Sequence, residues 1–223
     1  MTTLQAAMKS NITVIGLGAF GSTVALELAR LGQDVLGIDL SPARVNAIAD
    51  RLSQAVIADA RDERVLRELG VPDSDVVVVA IGEDTEANIL ATLLAKSMPK
   101  PKVWSKALND NHHRILAKLG ADHIVHPEHE MGLRVARTLI YPEVLDYISL
   151  GDDQFIAEVR AAECLSGKTL DALHLDENEV RCLAIKHQGI TFAPASTAYR
   201  FEVGDQIVLL GKLNHLRKIS KYL

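Results

Sequence analysis

Residues 76–81, Val-Val-Val-Val-Ala-Ile, are apolar at every position. A strand with one wet face alternates, so an unbroken run of this length predicts a strand covered on both faces, as in the middle of a parallel sheet. Shorter apolar runs at 12–15, 35–38, 55–58, 102–105 and 123–125 read as five further strands. Helical periodicity fills the intervals. Phe20, Val24, Leu28 and Leu31 recur at spacings of four, four and three, and Gly32 closes that helix. Ser41 and Pro42 open a second helix as cap residue and first-turn proline. Further helices are expected at 62–69, 83–96 and 109–119; the middle one starts with acids and ends on Lys96, which complements the helix dipole. Strands and helices alternating with short connections predict an α/β fold, a doubly wound Rossmann-like parallel sheet with right-handed crossovers, over residues 10–126.

The rhythm then changes. Helical patterns at 127–139 and 142–147 predict a joint over 127–149. Beyond it, 155–159 and parts of 180–185 alternate apolar and polar, and 190–193 and 207–210 read as short strands, with helical stretches at 169–173 and 212–221. These predict a small α+β C-terminal lobe over 150–223.

Composition narrows the setting. Hydrophobic residues make up 48% of the 223 residues but aromatics only 4%, so the cores are aliphatic. A net charge of −5 gives no general attraction to nucleic acid or to an anionic membrane surface. The longest apolar run is far short of the ~20 residues of a spanning helix, and the first residues lack a signal core. Cys164 and Cys182 have neither CxxC nor metal-type spacing, which reads as a reducing, cytoplasmic setting with the cysteines as small core fillers.

Gly16-Leu17-Gly18-Ala19-Phe20-Gly21 is GxGxxG. It follows an expected strand, opens an expected helix, and is followed by an acid, Asp39, at the end of the second strand. That context makes it a dinucleotide-type fingerprint. Gly16 permits the tight turn, Gly18 lets a diphosphate approach the backbone, and Gly21 lets the helix pack close to the first strand. Free N–H groups at the helix start then point at the anion. Asp39 is suited to ribose hydroxyls and disfavours a 2′-phosphate; Arg44, one helical turn on, would soften that exclusion. Glu128 lies at the expected end of strand six, where such sheets bind ligands, and one carboxylate plus nucleotide phosphates is a normal way to hold Mg²⁺ or Ca²⁺.

Other motifs fail or carry less. Ser166-Gly167-Lys168-Thr169 ends like a P-loop, but Ala162 stands where its first glycine belongs. His129-Glu130 lacks the second histidine of HExxH, since Leu133 occupies that position. His123, His126 and His129 read as solvated, and so does the His112–His113 pair at a helix start. A catalytic constellation is missing.

Three stretches, GLGAFGSTVALELARLGQDVLGID, VVVVAIG and GADHIVHPEHEMGLRVA, together with LSGKTLDAL, CLAIKHQGITFAP and FEVGDQIVLLG in the C-terminal lobe, resemble the cytosolic regulatory subunits of Trk/Ktr potassium transporters, which carry RCK domains (regulators of K⁺ conductance). The resemblance covers nearly the whole length. It implies a nucleotide-binding N-lobe, a crossover helix that pairs two subunits, and a C-lobe that also dimerises. Homodimers would assemble into an octameric ring beneath a membrane-embedded transporter subunit, at the inner face of the cell membrane. ATP or ADP is the first choice of ligand, with NAD(H) second. Gly16, Gly18, Ala19, Phe20 and Gly21 would meet the phosphates, Asp39 with Leu40 and Arg44 the ribose end, Asp59 and Ala60 the adenine, Lys106 a phosphate, and Glu128 a divalent cation. In some members the C-lobe binds cyclic di-AMP, and residues 185–194 cover that stretch. Ala19 is a departure: many members carry Arg there, which can pair bidentately with phosphate oxygens. The alternatives are a small NAD-dependent oxidoreductase and an NAD-sensing DNA-binding regulator; the acidic balance and the lack of a basic recognition helix weigh against the latter.

Overall fold

The computed structural model describes residues 9–140, 144–173, 175, 179–212 and 214–216. The chain divides into two compact units, Met1–Met131 and Gly132–Leu223.

The first unit alternates strand and helix: β1 (Asn11–Ile15), α1 (Ala19–Arg30), β2 (Asp34–Asp39), α2 (Pro42–Asn46), β3 (Gln54–Ile57), α3 (Glu63–Glu68), β4 (Val76–Val79), α4 (Thr85–Ser97), β5 (Lys102–Lys106), α5 (Asp110–Lys118), β6 (His123–Val125) and the start of α6 (Pro127–Ile140). The six strands form one sheet in the order β3-β2-β1-β4-β5-β6, every pair parallel. This is the expected doubly wound sheet. β1 pairs with both β2 and β4, so the strand order reverses beside it. A crevice at the carboxyl ends of the strands follows from that reversal.

Burial explains the all-apolar strands. In β1, Ile12 and Val14 pack into one aliphatic cluster with Ala25, Val35 and Val45, while Ile15 belongs to another with Val77, Val79, Ala91 and Val103. Each face of the sheet thus has its own core. The first helix follows the expected stripe in part: Val24 and Leu28 pack, half-buried, against the first of these clusters, but the fully buried residues are Gly21 and Ala25, and Leu31 is exposed. Small side chains let α1 lie close on the sheet, so size outweighs hydropathy at the contact. α4 starts at Thr85 with Asp84 as its cap, two residues later than the acids at its start imply.

In the second unit, β7 (Val144–Gly151), β8 (Gln154–Arg160), β9 (Val180–His187), β10 (Ile190–Phe192) and β11 (Gln206–Lys212) form an antiparallel sheet in the order β10-β9-β11-β8-β7. β8 and β11 alternate between buried and half-exposed positions, as a sheet with one covered face should. Phe201, Leu165, Leu173 and Ile207 fill the covered side. The expected helix at 142–147 is corrected from residue 144 onward, because Val144, Asp146 and Tyr147 are ladder partners of Val159, Glu158 and Ala157. Long-range pairing overrides the local helical pattern here; residues 142 and 143 lie outside the described residues. Of the helix expected at 212–221, Lys212 is the last residue of β11 and 214–216 are helical, while 213 and 217–221 lie outside the described residues. Among the described residues, no helix is long and apolar enough to cross a membrane.

Candidate functional site

At the carboxyl ends of the parallel strands lies a cleft of about 440 Å³. It is lined by Gly16, Gly18, Ala19, Phe20, Asp39, Leu40, Arg44, Asp59, Ala60, Lys106 and Glu128. Residues expected from five separate chain segments therefore share one cavity. Gly21 is the exception among the expected residues. It sits beneath the loop, where an added β-carbon would fall 1.8 Å from the Gly16 carbonyl oxygen. Gly16 has φ +92°, a left-handed conformation that favours glycine, and its added β-carbon would meet the Ile81 nitrogen at 2.8 Å. Gly18 differs from both: the space where its side chain would be is open. The turn and the close packing are thus built by two glycines, and the third leaves the backbone approachable.

The helix behind that glycine is left bare at its start. α3, α4 and α5 are capped by Asp62, Asp84 and Asn109, whose side chains accept backbone N–H bonds. α1 has Gly18 at the cap, no side-chain cap bond and no acid in its first turn. Its first N–H groups and the positive end of its dipole face the cleft without a resident side-chain anion, an arrangement that fits a phosphate.

Asp39, the last residue of β2, is 7% exposed. Its Oδ2 accepts the Leu17 N–H at 2.6 Å and its Oδ1 the Ser41 N–H at 2.8 Å. Two backbone donors from opposite sides hold the carboxylate still, and each oxygen retains a further lone pair for a ligand hydroxyl. Ser41 precedes α2 as expected, but its side chain makes no cap bond. Arg44 is nearer than one helical turn implies: its guanidinium lies 3.7 Å from Asp39 and 2.9 Å from Glu83. Asp59 pairs with Arg61 at 2.7 Å, and that guanidinium holds the Asp59 carboxyl below its ordinary range.

Lys106 ends β5 and is 7% exposed. Its ammonium forms an ion pair with Glu128 in the first turn of α6, and Lys106 holds the Glu128 carboxyl below its usual range. The Phe20 ring lies 5.9 Å from the same nitrogen. Behind Lys106, the fully buried Asn88 donates from Nδ2 to the carbonyls of Ile81 (2.7 Å) and Lys106 (3.1 Å), and its Oδ1 accepts from the Ser105 hydroxyl. One amide thereby fixes the ends of β4 and β5 relative to each other.

Several of these groups were missed by sequence reasoning. Arg61 and Glu83 line the cleft but sit in loops without a motif. Asn88 lies inside an apolar helical pattern and gives no local sign of its role. The histidine expectations need correction in part. His112 is 2% exposed, its Nδ1 accepts the Leu108 N–H at 3.3 Å, and burial lowers its pKa. The His112 backbone N–H is the one that Asn109 caps at the start of α5. His113 and His126 are hydrogen-bonded at 2.8 Å and stacked, and His123 stacks on Trp104. Among the described residues, no group of three or more His, Cys, Asp or Glu side chains is placed to hold a metal ion. A cation at Glu128 would need phosphate oxygens for its remaining ligands. The cysteine expectation also changes: Cys164 is exposed, and only Cys182 is partly buried, its thiol pushed up to about 11 by burial.

Comparison with known proteins follows the same two-part division. The TrkA-N domain matches residues 12–127 and the TrkA-C domain residues 156–223. The Ktr system potassium uptake protein A of Bacillus subtilis is 41% identical over 212 residues, covering 94% of this chain and 93% of its own length. The Ktr system potassium uptake protein C of the same organism is 37% identical over 218 residues, covering 96% and 97%. In fold, the chain is similar to the GsuK channel, with a TM-score of 0.67, and 0.62 for that channel bound to NAD, each at 15% identity. Those alignments cover 97% of this chain and 40% of the channel's, so this chain spans well under half of the channel's length.

Proposed function

Because the chain belongs to the family of Ktr and Trk potassium uptake proteins built from TrkA-N and TrkA-C domains, we propose that it is a nucleotide-binding regulatory subunit of a potassium transporter. In this reading its role is to gate and not to catalyse. The observation that carries the reading is the bare N-terminus of α1 opening on the same cleft as Lys106, with Asp39 pinned at the edge. A positive helix end and an ammonium suit a polyphosphate, and a fixed carboxylate suits a ribose.

Gly16, Gly18 and Gly21 shape the phosphate loop, Lys106 meets a phosphate oxygen, and Asp39 takes the ribose hydroxyls. Asp59 and Ala60 border the adenine. ATP or ADP is the first choice of ligand, with NAD(H) second, and Glu128 together with the phosphates would hold Mg²⁺ or Ca²⁺. Residues 10–126 form the binding lobe, a joint begins at residue 127, and the antiparallel sheet from Val144 onward belongs to a dimerising lobe. Dimers assemble into an octameric ring that works on a membrane-embedded partner at the inner face of the cell membrane.

A ligand shifts such an assembly only through its differential affinity for two shapes; a tenfold bias needs ~1.4 kcal/mol. The test is a thermal-shift screen of ATP, ADP, NAD⁺, NADH and cyclic di-AMP, with and without Mg²⁺, alongside light scattering. A raised midpoint with an adenine nucleotide and a mass near eight subunits are expected. No shift with any of the adenine nucleotides would overturn the binding role, and a monomeric mass would overturn the ring.

A further inference from the structure

We propose that Glu83 is a specificity-determining residue: by holding the Arg44 guanidinium it withholds that cation from a phosphate on the ribose, so that the cleft takes adenine nucleotides with a free ribose diol and turns away those phosphorylated on the 2′-hydroxyl. The inference rests on the nucleotide reading of the cleft and adds to it a residue that excludes one class of ligand.

Three charged side chains meet at the ribose end of the cleft, and all three line it. Asp39 is fixed by the Leu17 and Ser41 N–H groups. Arg44 divides its two terminal nitrogens. Nη1 lies 3.7 Å from Asp39 Oδ2, and Nη2 donates to Glu83 Oε1 at 2.9 Å. Glu83 comes from the connection between β4 and α4, 39 residues along the chain from Arg44. Its neighbour Asp84 is tied down as the cap of α4 by a bond from the Ala87 N–H, so Glu83 extends from an anchored backbone. Arg61, the second arginine that lines the cleft, is held through Nε and Nη2 by Asp59. Both arginines therefore already have carboxylate partners.

Opening the Arg44–Glu83 pair is a cost for one ligand class alone. A free 2′-hydroxyl donates to Asp39, and Arg44 keeps Glu83 as its partner. A 2′-phosphate brings about two negative charges to the same place. There it meets two carboxylates and one guanidinium, a group with net negative charge. It must face that group as it stands, or take Arg44 from Glu83 and leave a bare carboxylate close by. An arginine near the ribose is what accommodates a 2′-phosphate in dinucleotide folds. Here the arginine is present and its outer donor is occupied. Asp39 and Glu83 thus act differently: Asp39 repels the phosphate directly, and Glu83 blocks the group that would offset that repulsion. Removing Glu83 frees Nη2 and leaves Nη1 in place beside Asp39.

The experiment is calorimetric titration of the full-length protein with ADP, NAD⁺ and NADP⁺, for wild type, Glu83→Gln, Arg44→Gln and the double variant. NAD⁺ and NADP⁺ differ only in the 2′-phosphate, so their affinity ratio isolates the contact in question. Wild type is expected to favour NAD⁺. Glu83→Gln is expected to raise the affinity for NADP⁺ relative to NAD⁺ by about tenfold, the scale of one charge-assisted hydrogen bond. In the Arg44→Gln background the same change should raise the ratio far less, because the donor it would free is missing. A wild-type preference for NADP⁺, no gain for NADP⁺ in Glu83→Gln, or an equal gain in both backgrounds overturns the inference while leaving the nucleotide reading intact. If wild type binds neither ADP nor NAD⁺, the nucleotide reading itself fails and takes the inference with it. The Glu83 side chain is 84% exposed, so the variant is expected to keep the wild-type melting midpoint within a few degrees, which the same samples check by calorimetric melting.

Discussion

Gly21 lies so close to Gly16 that a β-carbon on it would fall 1.8 Å from the Gly16 carbonyl oxygen. No rotamer relieves this contact, because both partners are backbone. Gly21→Ala must push α1 away from β1 or break the turn. The expected cost is about 3 kcal/mol or more, at the upper end of overpacking effects, measured by denaturant unfolding of the full chain. Gly18→Ala, into open space, should cost well under half of that. Equal costs at the two positions would contradict this division of labour.

Asp39 has two tasks. It satisfies the Leu17 and Ser41 N–H groups and, in the proposed function, the ribose. Asp39→Ala is therefore expected to weaken adenine-nucleotide binding by about 1.5–3 kcal/mol, the scale of charged hydrogen bonds. It should also lower stability, since one buried and one part-buried donor lose their acceptor. Calorimetry at matched folded fraction separates the two effects, and unchanged affinity would remove Asp39 from the ribose site.

Asn88 holds the ends of two strands through the Ile81 and Lys106 carbonyls. Asn88→Leu keeps the volume but takes the amide donor from both carbonyls and leaves the Ser105 hydroxyl with Thr92 as its partner. A loss of about 2–3 kcal/mol is expected, together with weaker phosphate binding because Lys106 is no longer fixed. A fully stable variant by chemical denaturation would show that water replaces the amide.

His112 predicts a pH dependence. Burial lowers its folded pKa below the ~6.5 of an unfolded histidine. Above pH ~6.5 the ring is neutral in both states and contributes no slope. As pH falls through that value the unfolded chain takes up a proton that the folded one resists, so stability declines. His112→Gln should lose less melting temperature between pH 7.5 and 5.5 than wild type does. An identical decline in both proteins would place the pH sensitivity elsewhere.

Most of the first unit was legible along the chain because its signals are local. The valine run at 76–79 needs two covered faces wherever it sits, and Gly16, Gly18, Gly21 and Asp39 carry their meaning in spacing and in the strand and helix around them. The same logic misled at 144–147, where helical spacing was present but ladder partners in β8 decided the conformation. It also misled at His112, whose neighbours in sequence are mostly polar but whose ring is buried.

Sequence alone therefore determined the order of strands and helices in the first unit, the glycine turn, and the family to which the chain belongs. Tertiary structure decided which distant side chains meet. Arg44 joins Asp39 and Glu83, and Lys106 joins Glu128 from 22 residues away. The physical reason is the parallel sheet: strands that all run the same way put their carboxyl ends at one edge, and residues there converge without any periodicity between them.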